Sequence, residues 1–82
     1  MPYIKPVERL WLDPIVEEMR KRVTEPGHLA YVLFKFFLKA VQPKFINFCI
    51  WVGAIILCVF EIYRRIIAKY ENEKLRENGD VD

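Results

Sequence analysis

Serine is absent from the 82 residues, histidine occurs once and cysteine twice. Without serine there is no Ser-based nucleophile, and the chain holds neither a Gly-rich phosphate loop nor a His-Glu-x-x-His pattern. Groups that would have to converge for catalysis are missing, so no enzymatic activity, no cofactor and no small-molecule substrate is expected. Cys49 and Cys58 stand nine positions apart, which at about 100° per residue puts them on opposite faces of a helix. Eight residues separate them and no second pair follows, so a Cys-x9-Cys motif is excluded as well, and both read as small apolar side chains. The single His28 has no further ligands near it in sequence, whereas a metal site needs three or four. Charge of one sign is also scarce: 13 Lys and Arg against 11 Asp and Glu leave a formal net charge of +2. With no basic stripe interleaved with aromatics, nucleic acid is excluded as a partner. The opening residues, MPYIKPVERLWLDP, resemble neither the apolar core of a signal peptide nor an Arg- and Ser-rich transit peptide, so the long apolar run further along is expected to carry the address.

Apolar and charged residues are both abundant, at 54% and 29%, and they are segregated along the chain. From Phe45 to Phe60, sixteen residues carry no formal charge, ten of them are Ile, Leu, Val or Phe, and Asn47 is the one strongly polar side chain. Extended to Tyr63 the run reaches about 28 Å at a rise of about 1.5 Å per residue, close to a hydrocarbon core of about 30 Å. Residues 44–63 are therefore expected to form a transmembrane helix. Within it, Asn47 is expected to bond a neighbouring helix, Trp51 to act as a packing knob against protein, and Gly53 and Ala54, with Cys58, to let another helix approach closely. A span shifted toward Tyr70 would also account for Trp51, but it would immerse Arg64 and Arg65. Glu61 is expected at headgroup level, paired with Arg64 or Arg65 rather than relaying protons.

The flanks are expected to be helical but not spanning. Pro2 and Pro6 predict an extended apolar arm over residues 1–12, with Trp11 as a partner contact. Asp13–Pro14 reads as a helix start, giving a short amphipathic helix over 13–25 that ends at the breaker cluster Glu25–Pro26–Gly27. Residues 28–42 place His28, Lys35, Lys39 and Gln42 within an arc of about 60°, with apolar residues on the remaining faces. Fifteen residues reach about 22 Å, too short to cross, so an interfacial helix is expected, with Lys35 and Lys39 toward phospholipid headgroups. Whether residues 28–60 are two helices or one kinked helix is left open by the sequence. Arg64 and Arg65 are the corresponding headgroup contacts on the far side. A charged helical tail over 64–82 follows, with Gly79 as its C-terminal cap. The expectation is an all-α membrane protein with one transmembrane helix, a preceding interfacial amphipathic helix, a short N-terminal helix and a charged helical C-terminal tail.

The order of EPGHLAYVLFKFFLKAVQPKF, the apolar run and KYENEKLRENGDVD resembles a small single-span accessory subunit of NADH:ubiquinone oxidoreductase, complex I, of the B15 type. Phe36, Phe37, Pro43 and Tyr70–Glu71–Asn72 also resemble the small ubiquinone-binding-type subunit of the cytochrome bc1 complex, although about ten residues follow Asn72 here. Either resemblance implies a supernumerary subunit of a respiratory-chain complex in the mitochondrial inner membrane. Such a subunit carries no catalytic residue, and its partners are the other subunits of the complex. A single-pass regulator of a pump or channel outside mitochondria is the other class.

Orientation follows from basic residues near the span. Lys35, Lys39 and Lys44 precede it, whereas Arg64, Arg65, Lys69, Lys74 and Arg76 follow it. The positive-inside rule sends the richer flank to the matrix or cytoplasmic side. We expect an epitope after Asp82 to survive protease treatment of mitoplasts with a sealed inner membrane; its loss would put the tail outside and defeat the charge count.

Overall fold

The computed structural model describes residues 2–81, and among these every regular element is helical. Met1 and Asp82, the outer ends of the expected arm and tail, lie outside the described residues. The described residues form three helices. The third is continuous from Phe45 to Asn78 and is long and apolar enough to cross a membrane. The chain divides into two units, Pro2–Phe48 and a second that begins at Cys49.

Prolines decide where the first two helices begin. Lys5 is extended (φ −63°, ψ 143°), as the following proline ring demands, and Pro6 occupies the first turn, where its missing N–H leaves no intrahelical bond unmade. Helix α1 then runs Pro6–Arg22, with Glu8 in its first turn and Arg20, Lys21 and Arg22 in its last, each on the side the helix dipole favours. The expected extended arm over residues 1–12 is thus corrected to residues 2–5, and Asp13–Pro14 does not start a helix. Pro14 lies inside α1. The reason is periodic: Val7, Leu10, Trp11, Pro14 and Ile15 recur at the 3-4 spacing of one helical face, and Pro6 has already supplied the start. Exposed ion pairs line the outer face, Glu17 accepting two bonds from Arg20 (2.9 and 2.5 Å) and Glu18 pairing with Arg22. The Glu17 carboxylate raises the Arg20 pKa further above its ordinary value.

A three-residue link, 23–25, leads to α2, Pro26–Ala40. Glu25 is extended (φ −137°, ψ 153°) ahead of Pro26, so the breaker cluster that ends α1 also begins α2. The expected bounds of 28–42 move to 26–40. Lys35 and Lys39 keep their place on the stripe, whereas Gln42 leaves the helix altogether. Helix α3, Phe45–Ile62, is followed without a break by a π-helical turn, Tyr63–Ile67, and by α4, Ala68–Asn78. The amide of Ala68 donates to the Tyr63 carbonyl, five residues back, which marks the wide turn. Gly79 ends the helix with φ +83°, a backbone conformation that favours glycine, and its N–H reaches the Leu75 carbonyl at 2.9 Å.

Burial is minimal. Val41, 7% exposed, is the single buried side chain among the described residues, and large apolar side chains are exposed along all three helices.

The proline in the middle of α1 generates a test. Pro14 cannot donate to the Leu10 carbonyl, and a helix-interior proline costs about 3 kcal/mol relative to alanine. We expect Pro14→Ala to slow hydrogen exchange of the α1 amides at least about tenfold in detergent micelles. Unchanged exchange would show that Pro14 is not the weak point of the helix.

Candidate functional site

Two groups of interacting side chains stand at the two ends of the apolar helix. At its beginning, Pro43 removes a donor and biases Gln42 away from helical geometry, so α2 stops at Ala40. The Val41 N–H closes α2 onto the Phe37 carbonyl at 3.1 Å, and the Lys44 N–H turns back to the Gln42 carbonyl at 2.8 Å. Asn47 Nδ2 donates to that same Gln42 carbonyl at 3.3 Å. Phe37 and Phe48 stack across this elbow with ring centroids 5.8 Å apart and planes 28° apart. Val41 is buried here. Asn47 thus gives one amide N–H to fastening the elbow of its own chain.

At the other end, Arg64 grips Glu61. Its Nη2 pairs with Glu61 Oε1 and its Nε lies 3.4 Å from Oε2, a fork-like arrangement one turn apart on the helix. The Glu61 side chain is only 22% exposed, the Arg64 side chain 70%. Arg64 and Arg65 both belong to the π-helical turn. A turn of this kind holds one residue more than an α turn, so every side chain beyond it is rotated by about 100° from where a regular helix would put it.

The remaining sequence-derived residues are spread out. Trp11 is exposed on α1, and Trp51 is 41% exposed on α3. Gly53 and Ala54 are half-exposed, and a Cβ at Gly53 would meet open space within 4 Å. Lys39 lies in the last turn of α2. Lys35 folds back on Tyr31, its Nζ 3.1 Å from the phenol oxygen and 5.5 Å from the ring centroid. The Tyr31 contact is legible as an i,i+4 spacing, as is a second local bond that bears on His28: the Thr24 N–H donates to His28 Nδ1 at 3.2 Å, while Nε2 lies 3.8 Å from Glu25. The histidine, in the first turn of α2, thus fastens the link between α1 and α2. The wide turn at Tyr63–Ile67 has no comparable signature in the sequence.

These features define a class: an all-helical chain with one long apolar helix, an elbow at its start and an ion pair at its far end. The chain belongs to the family described as a domain of unknown function, DUF6899, whose model matches residues 1–81. No curated protein and no solved structure matches it.

The elbow can be tested directly. Asn47→Ala removes one hydrogen bond, worth about 1 kcal/mol, from a place with little other packing. We expect the Lys44 and Phe48 amides to exchange about fivefold faster in the variant. Equal rates would mean that the stacked phenylalanines hold the elbow without the amide.

Proposed function

We propose that this chain is a single-pass membrane protein and acts as a non-catalytic structural subunit of a larger membrane assembly. The observation that carries this reading is the continuous helix Phe45–Asn78, whose first half exposes large apolar side chains on every face. Lipid covers such a helix without any loss of backbone hydrogen bonding, because the ladder is complete within the segment. Apolar side chains on α1 and α2, such as Leu10, Trp11, Phe34 and Leu38, are exposed as well, and they supply surface for neighbouring subunits. Glu61 and Arg64, paired at the end of the apolar run, suit the headgroup level, where an ion pair is inexpensive.

The finer reading is a supernumerary subunit of an electron-transfer complex in the mitochondrial inner membrane, complex I foremost. Its support is the order of segments: a proline-containing aromatic helix, the apolar helix and a charged tail, as in the B15-type subunit. In this role the chain binds other subunits and phospholipid headgroups, and it contributes assembly and stability.

Two measurements test the two levels. Carbonate extraction is expected to leave the chain in the membrane pellet; release into the supernatant as part of a large particle would mean that protein, not lipid, covers Phe45–Ile62. Purification in mild detergent is expected to bring down an inhibitor-sensitive reductase of the respiratory chain. Recovery with a pump or channel instead would replace the respiratory reading by a regulatory one.

A further inference from the structure

Charge is distributed very unevenly once the chain is divided at its helices. Residues 1–25 carry five basic and five acidic side chains, and residues 61–82 carry five basic and six acidic. Between them, residues 26–60 carry Lys35, Lys39 and Lys44 and not one carboxylate. The net positive charge of the protein therefore resides on α2 and the elbow. All three lysines are exposed. Lys35 is held by Tyr31, whose phenol and ring are neutral and leave its charge uncancelled. At the other end of the apolar helix the situation is reversed, because the Arg64 charge is met by Glu61.

We propose that α2 and the elbow dock on a bilayer surface containing anionic phospholipid, with Lys35, Lys39 and Lys44 at the lipid phosphates, and that the tail side has no such lipid preference. The proposal rests on the reading of Phe45–Ile62 as a span and names the lipid class that its N-terminal end selects. The physical ground is complementarity of two kinds. One side of α2 is apolar and exposed, with Phe34 at 66% and Leu38 at 65%, the composition of a helix that lies in the headgroup region. Its cations add attraction to a negative surface, on the order of fivefold in binding for each lysine and about a hundredfold for three. A carboxylate within reach would cancel part of this gain, and the segment has none.

The test uses the full chain with Cys49 and Cys58 replaced by alanine. An environment-sensitive dye is attached either at Phe34→Cys in α2 or at Ile56→Cys in α3. The chain is reconstituted in vesicles of phosphatidylcholine alone or of phosphatidylcholine with phosphatidylglycerol. The α3 dye is expected to sit in lipid in both vesicles. The α2 dye is expected to be lipid-immersed in the anionic vesicles and largely wet in the neutral ones. Raising salt until the Debye length falls from about 10 Å to about 3 Å should erase that difference. Replacing Lys35, Lys39 and Lys44 together by glutamine should remove about a hundredfold of the anionic preference, whereas Arg64→Gln with Arg65→Gln should leave the α2 response unchanged. An α2 dye that responds equally in both vesicles, with the α3 dye still in lipid, overturns the lipid selectivity and spares the span. An α3 dye that stays in water overturns both.

Discussion

An apolar side chain kept in water costs about 25 cal/mol for each Å² it exposes, and along α3 every large one is between 38 and 81% exposed. That constraint orders the remaining features. A helix whose faces are all apolar has no inside and outside to choose between; it can only exchange water for another apolar medium along its whole circumference. The charged groups accordingly stand at its two ends. Lys44 immediately precedes it, and the Glu61–Arg64 pair closes it.

Where the chain does pack on itself, it does so to turn a corner. Val41, the Phe37–Phe48 stack and the Asn47 amide lie within twelve residues of one another in sequence, on either side of Pro43. The cluster they form is small by the standard of a globular core. Their joint effect is to give the elbow a defined geometry although the helices on both sides expose most of their surface. Polar chemistry has the same local character: the ion pairs of α1 and α4 and the His28 bond all join residues three or four apart. Such exposed pairs are weak, because water screens them and long side chains must be ordered to form them. They adjust helices that backbone hydrogen bonds have already made.

The long apolar helix, its continuation to Asn78 and the cap at Gly79 were legible because each rests on a local rule: run length, charge spacing and the glycine preference for positive φ. Proline was the residue that misled. Pro2 and Pro6 suggested an extended arm and Asp13–Pro14 a helix start, yet Pro6 is the helix start and Pro14 an interior residue. The competing signal was present in the spacing of Val7, Leu10, Trp11 and Ile15, which is helical and outweighs one missing bond. Gln42 was placed on the polar stripe of α2 by the same periodicity, and there Pro43 overrode it. The Asn47 bond to the elbow was not legible, because its acceptor is a backbone carbonyl reached only by the way the elbow bends. The π-helical turn was not legible either, since a one-residue surplus in a hydrogen-bond ladder leaves the composition of the helix unchanged.

That surplus residue makes the long helix a shaft with a fixed phase offset. The ladder from Phe45 to Asn78 remains unbroken, so pull and twist pass through it, but the tail is clocked about 100° away from the angle that its sequence position alone would give. Closing that turn to regular α geometry with every residue kept would leave both ends equally helical and change the length by only one rise of about 1.5 Å. It would nevertheless present Leu75, Lys74 and Tyr70 to a different neighbour. Contacts made by the tail are in this sense indexed by the wide turn, much as a keyway sets the angle between two parts on one axle.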